Sequence, residues 1–313
     1  MTSRRPGTGL LYLITSGLLW GTGGLTGSLL SRVAGLSAMS VAACRLTAGG
    51  VLIVTFLTVA GRRWPAGRAG RRRPAGRAAW TRIAVIGVLA ALYQSCYFTA
   101  VALTSVALAT LVTIGTAPVI VLGVYRVTGR RSGRLAPVAA CLALTGLGLL
   151  VGLPSGFPET AVLASAGMAV LAAAGFAAVT LTGARPVPGL DELTVTGFAF
   201  TLGGLILMPL AAALGGLTIR LGPEAVGLLL ALGLGPTAVA YTLYFRGLRT
   251  AAASTAALLT LLEPLTGAIL AAFVLGQRLS VAGIAGAATL VVAVLVTVRG
   301  AGSDGPPTPI QRR

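Results

Sequence analysis

The sequence contains no lysine and no histidine, and only six of its 313 residues are acidic. Charged residues make up 10% of the chain, against about 25% in soluble domains. Without histidine, the usual zinc sites and the Ser-His-Asp triad are excluded. The three cysteines, Cys44, Cys96 and Cys141, form no CxxC pair and fall in apolar stretches, so they read as small buried residues. Of the six acids only Asp191 and Glu192 are adjacent, at a loop end where they read as solvated. An integral-membrane enzyme would need clustered carboxylates or metal ligands at one membrane face, and this chain offers none. There is no GxxxxGK[ST], so nothing points to ATP coupling, and no cofactor or metal is expected.

What is present is apolar. Hydrophobic residues make up 56% of the chain and the mean hydropathy is +0.93. Such a chain belongs in a lipid bilayer, whose core of about 30 Å takes roughly 20 apolar residues per helix. Ten stretches qualify: 10–31, 37–60, 80–102, 104–126, 134–152, 160–182, 193–214, 223–245, 251–274 and 279–298. Thr104 and Ser105 mark a tight turn that divides the third from the fourth. The basic, then apolar N-terminus mimics a signal peptide, but its apolar part continues to about Leu30, which favours a retained helix.

All the basic residues are arginine, and the net charge is +18. The run Arg62, Arg63, Arg68, Arg71, Arg72, Arg73, Arg77 lies between two apolar stretches with no stacking aromatics, so it reads as a basic membrane-side loop and not as a nucleic-acid site. With the N-terminus placed in the cytoplasm, 20 arginines fall on the inner side and 3 on the outer, with Arg45 inside a span. This bias favours an even number of spans with both termini cytoplasmic. With the many alanines and glycines, the arginine usage suggests a GC-rich bacterial genome and hence a multi-pass inner-membrane protein. The tail RGAGSDGPPTPIQRR is polar and proline-rich, and is expected to be disordered.

The chain also repeats itself. YFTAVALTSVALATLVTIGTAP (Tyr97–Pro118) resembles YFRGLRTAAASTAALLTLLEP (Tyr244–Pro264), about half a chain later. Five spans per half would make the halves enter the membrane from opposite sides, an arrangement common in secondary transporters. The expected class is therefore all-α integral membrane, with ten transmembrane helices in two inverted five-helix repeats. The boundaries are a tail (1–9), a first repeat (10–152), a second repeat (153–299) and a tail (300–313).

On these residues the chain resembles the EamA-type members of the drug/metabolite transporter superfamily. The likeness is carried by Trp20-Gly21, Arg45, Tyr97-Phe98, Pro118, Tyr244-Phe245, Glu263-Pro264 and Leu270–Val296. It departs from the family where Gln277 stands in place of the usual glutamate. The resemblance implies a central cavity alternately open to each side. It also implies secondary active export of small organic metabolites such as amino acids or drugs. A coupling proton or an exchange solute is left open. The alternatives are an integral-membrane enzyme, or a channel or receptor without coupled transport.

The candidate substrate-binding residues are Arg45, Glu263, Gln94, Trp20, Tyr93 and Tyr97. A charge at the centre of a membrane helix costs about 2.5–3.5 kcal/mol on insertion scales. Arg45 and Glu263 lie at similar depth, each roughly 18 Å from the inner surface at 1.5 Å per residue. Lining one wet cavity would offset the cost, with Arg45 holding a carboxylate and Glu263 an ammonium. A structural ion pair, or an Arg45 that snorkels outward, is the plainer alternative. Gln94 needs partners for its amide, while Trp20 could stack on a solute or simply pack. Pro118 and Pro264 are expected to kink the fourth and ninth spans. Tyr241 and Tyr244 read as interfacial belt residues, and Gly17, Gly21, Gly23, Gly27, Gly148 and Gly152 as sites of close helix contact.

Overall fold

Ten apolar runs punctuated by short polar turns can satisfy their backbone in lipid only as helices. The computed structural model describes residues 6–61, 76–130, 132–152, 156–215, 220, 222–276 and 280–303. Among them there is helix and no strand. The first half comprises α1 (Pro6–Ala34), α2 (Ala38–Val59), α3 (Gly76–Leu103), α4 (Val106–Val127) and α5 (Ala136–Val151). The second comprises α6 (Glu159–Gly183), α7 (Glu192–Gly215), α8 (Pro223–Leu232), α9 (Ala240–Gly247), α10 (Ala253–Leu259), α11 (Leu262–Leu275) and α12 (Val281–Ser303).

Side-chain caps set several starts. Ser37 and Ser105 accept from the amides of Ser40 and Leu108, opening α2 and α4. Asp191 accepts from the Thr194 amide and hydroxyl, opening α7. Gly35 and Gly276 close α1 and α11 with φ of 68° and 64°.

Eight segments are long and apolar enough to cross a membrane, fewer than the expected ten. The difference lies in α1, whose stretch Gly21–Gly27 dilutes its hydropathy, and in α5, which has 16 residues. Helix α12 runs to Ser303, so the first residues of the expected tail are helical. Residues 304–313, most of the arginine run, and Gln277 with Arg278 lie outside the described residues.

Two spans are interrupted. Helices α8 and α9 form one rod, Pro223–Gly247, with a π-helical stretch at Gly233–Val239. Pro236 cannot donate to the Leu232 carbonyl, and the Thr237 hydroxyl does so instead at 2.9 Å. Between α10 and α11 the chain tightens into i→i−3 bonds, Leu261 N to Leu258 O and Glu263 N to Thr260 O, one turn around Pro264. Helix α4, in contrast, is continuous through Pro118.

Helices pack in defined pairs: α2 on α7, α5 on α12, α3 on α6 and α7, α4 on α6, and α1 on α9 and α11. Small residues permit the approach. A Cβ at Gly50 would collide with Thr201, and one at Gly146 would lie 2.9 Å from the Gly286 carbonyl oxygen. Gly17 and Gly21 on α1 are likewise pressed against α10 and α11. Gly148 and Gly152, also expected to make close contacts, have nothing within 4 Å; Gly146 takes that role on α5. Large apolar side chains such as Phe273, 85% exposed, cover the outside, as a lipid solvent requires. Cys44 and Cys96 are buried, but Cys141 is exposed on this apolar surface, contrary to the sequence reading.

Candidate functional site

The helices enclose a cavity of about 290 Å³ that reaches one end of the bundle. At its mouth stand Ser31, Ala38, Val101 and Val106, all close to helix ends. The same end holds the contacts between Thr104 and Ser165 and between the Arg220 amide and the Ala34 carbonyl. From there the cavity reaches inward to Trp20, fourteen residues into the 29 of α1.

All six residues singled out in the sequence, Trp20, Arg45, Tyr93, Gln94, Tyr97 and Glu263, line this one cavity. They come from both halves of the chain, with Glu263 in the first turn of α11. Arg45 is part-buried, and its Nη1 would lie 3.8 Å from a Cβ on Gly23, so it extends between helices and not out to lipid. Arg45 Nε has no hydrogen-bond partner. Among the described residues the ion pair within 4 Å is Arg249–Glu192, so Arg45 and Glu263 share the cavity without neutralising each other by contact.

The cavity ends on an aromatic floor. The Trp20 ring lies 4.8 Å from that of Tyr241, 5.0 Å from Tyr244 and 5.9 Å from Phe176. Tyr241 also packs on Phe200 at 4.5 Å, and the Tyr244 hydroxyl bonds that of Thr180 at 2.7 Å. These tyrosines are thus interior residues, 4% and 1% exposed, and not the interfacial belt residues the sequence suggested. Packing against Trp20 through α1 draws them in. Phe176, Thr113 and Thr260 also line the cavity and were not legible beforehand.

Beyond the floor the helices converge. A hollow of about 10 Å³, room for roughly one water, is lined by Arg82, Arg185, Glu192 and Arg249. Arg249 Nε comes within 2.6 Å of Glu192 Oε1, without the angle of a directed hydrogen bond. Asp191 caps its helix and Glu192 is 16% exposed, so the acidic pair is structural and not merely solvated.

These features define a class: a polytopic helical membrane protein with a solute-sized chamber lined by an arginine and a glutamate that do not pair with each other. The model of the EamA-like transporter family matches residues 7–152 and 163–299. The chain belongs to that family and is a membrane transporter. It is 30% identical to the "Uncharacterized transporter YwfM" of Bacillus subtilis (strain 168), over 91% of this chain and 92% of the relative. It is 25% identical to the "Uncharacterized inner membrane transporter YicL" of Salmonella typhimurium, over 86% and 87%. A solved crystal structure at 22% identity superposes with a TM-score of 0.75 and covers 94% of this chain and 98% of the other, a likeness of fold.

Proposed function

We propose that the protein is a secondary carrier that exports a small zwitterionic organic solute, of the amino-acid or drug type, by alternating access through the cavity. The observation that carries this reading is the presence of Arg45 and Glu263, from opposite halves of the chain, on one cavity wall without mutual contact. A solute with a carboxylate and an ammonium supplies the two missing counter-charges.

The carrier reading includes ten crossings, with α1 and α5 as the two beyond those of sufficient length and hydropathy. At 1.5 Å per residue α5 spans about 24 Å, within reach of a locally thinned bilayer. The reading also makes the halves inverted repeats. The packing supports this. Let α1 correspond to α6, α2 to α7, α3 to the α8–α9 rod, α4 to α10–α11, and α5 to α12. The α2–α7 and α5–α12 contacts then map onto themselves. The α3–α6 contact maps onto the rod with α1, α4–α6 onto α11–α1, and α3–α7 onto the π stretch with α2, all of which are observed. Separate family matches in the two halves agree.

Arginine bias assigns the inside. Arg82, Arg185 and Arg249 gather at the closed end, while Arg32 ends α1 near the open one. The structure is then outward-facing, with both termini in the cytoplasm.

The test is counterflow in proteoliposomes with a panel of amino acids and cationic or zwitterionic drugs. Saturable counterflow that falls tenfold or more in both Arg45→Gln and Glu263→Gln is expected. Unsaturable flux would indicate a channel. Undiminished counterflow in both variants would remove the two residues from the solute site.

A further inference from the structure

Seven buried side-chain polar atoms lack a hydrogen-bond partner among the described residues, and four belong to cavity residues: Trp20 Nε1, Arg45 Nε, and both Nε2 and Oε1 of Gln94. Gln94 stands out because both ends of its amide are unmet and the residue is only 1% exposed. An unpaired buried donor or acceptor costs about 1–3 kcal/mol, so such a group is uncommon without a purpose.

As the side chain stands, no cavity hydroxyl among the described residues is within hydrogen-bond reach of either atom of the Gln94 amide, and most of these hydroxyls already donate elsewhere. Thr113 donates to the Ala169 carbonyl at 3.2 Å and Thr260 to the Ala257 carbonyl at 2.7 Å. Ser28 and Ser31 donate to the carbonyls of Leu25 and Leu36. The Tyr97 hydroxyl, one turn from Gln94 on α3, is engaged with Thr110 at 2.8 Å. The partners left for the amide are water and a bound solute, and of these a solute can meet donor and acceptor with one rigid group.

We propose that Gln94 determines specificity by pairing with a planar, uncharged donor–acceptor edge on the solute, of which a carboxamide is the simplest. This rests on the cavity being the solute site and narrows the class proposed for it. A primary amide laid edge to edge against Gln94 donates to Oε1 and accepts from Nε2, satisfying both atoms at once. A lone hydroxyl meets them only when wedged between, and an apolar group meets neither. The unbranched glutamine side chain brings its amide from wall to lumen by a rotamer change. The flanking rings of Tyr93 and Tyr97, with centroids 6.3 Å apart, offer flat apolar surfaces for such a planar group. Trp20 Nε1 adds one more donor for an acceptor on the same solute.

A site built to hydrogen-bond a group rejects the analogue that lacks it, because its own buried atoms are then stranded. The probes are L-glutamine and L-homoleucine, which share the zwitterionic head and differ in carrying a carboxamide or an isopropyl group of similar size. Binding to purified full-length protein in nanodiscs is measured for the wild type, Gln94→Leu and Gln94→Met. The wild type is expected to prefer L-glutamine by about tenfold or more. Both variants, which remove the stranded amide and so fold without it, should lose or reverse that preference. Equal affinities in the wild type, as when Gln94 simply holds water, overturn the inference. So does a preference unchanged in both variants, or binding of neither probe. The cavity reading is judged separately, by whether Arg45→Gln and Glu263→Gln abolish counterflow of any solute.

Discussion

The two ends of the bundle are built from the same helices on different terms. Toward the mouth, α1, α2, α3 and α4 separate around a chamber with charged and amide walls. Toward the other end, α1, α6 and the α8–α9 rod close on a layer of aromatic rings backed by the Arg249–Glu192 ion pair. The open end keeps polar groups unmet. The closed end is filled mainly by packing, with Trp20, Tyr241, Tyr244 and Phe200 each at most 6% exposed, and the unmet Arg82 Nη1 and Arg249 Nε lie beneath that layer. On the proposed carrier reading the two ends exchange these conditions, so the closed end should be held firmly enough to seal and no more firmly. One ion pair beneath a ring layer fits that requirement, since the three arginines around Glu192 repel one another.

The comparison can be broken most severely in the α2–α7 pair, whose contact holds the bundle together whichever end is open. Gly50→Leu on α2 places side-chain atoms where the Thr201 backbone stands. Over-packing costs typically about 1–3 kcal/mol and more where backbone must move. Loss of folded protein on size-exclusion chromatography is expected, irrespective of solute.

A more local and more informative change is Trp20→Ala, which removes the ring joining floor to chamber without forcing backbone apart. Truncating a packed tryptophan costs about 3–5 kcal/mol. If the floor seals the closed end, cysteines introduced in the chamber above it should become reactive toward an impermeant thiol reagent applied from the arginine-rich side. Lowered melting temperature with unchanged labelling would show that Trp20 only packs.

Weaker again is Arg249→Gln. A part-exposed ion pair is worth about 1 kcal/mol or less. The same cysteines should label several-fold faster with little change in melting temperature, and the exchange Arg249→Glu with Glu192→Arg should restore slow labelling. The smallest effect is expected for Gly148→Ala on α5, where an added Cβ meets nothing within 4 Å. Its melting temperature should match the wild type or exceed it slightly, as alanine favours helix over glycine.

Much of the site was legible because charge and amide groups are expensive in lipid. Arg45, Glu263 and Gln94 announce themselves against apolar neighbours, and each lines the chamber. Helix locations were legible from the length of the apolar runs. Facing was not. A helix that is hydrophobic on every side has no period to show which face looks inward. Phe176, Thr113 and Thr260 were therefore passed over, and Tyr241 and Tyr244 were assigned to the interface. Eight of the ten apolar runs form helices long and apolar enough to cross a membrane, and α1 falls outside that number in part because the glycines that let it approach α10 and α11 also lower its hydropathy. Pro236 carried a readable signal, a proline within an apolar run, but the widened turn it accompanies depends on the Thr237 hydroxyl finding the Leu232 oxygen.

That widened turn acts as a register mark within the rod. A π turn holds about one residue more than an α turn, and each residue advances a helix by about 100°. Leu232 before it and Tyr241 after it are therefore out of phase with an uninterrupted helix, yet both border the chamber. Sliding the extra residue along the rod would rotate every side chain it passes by about 100°, and with them the ring of Tyr241, while both tips of the rod stayed where they are.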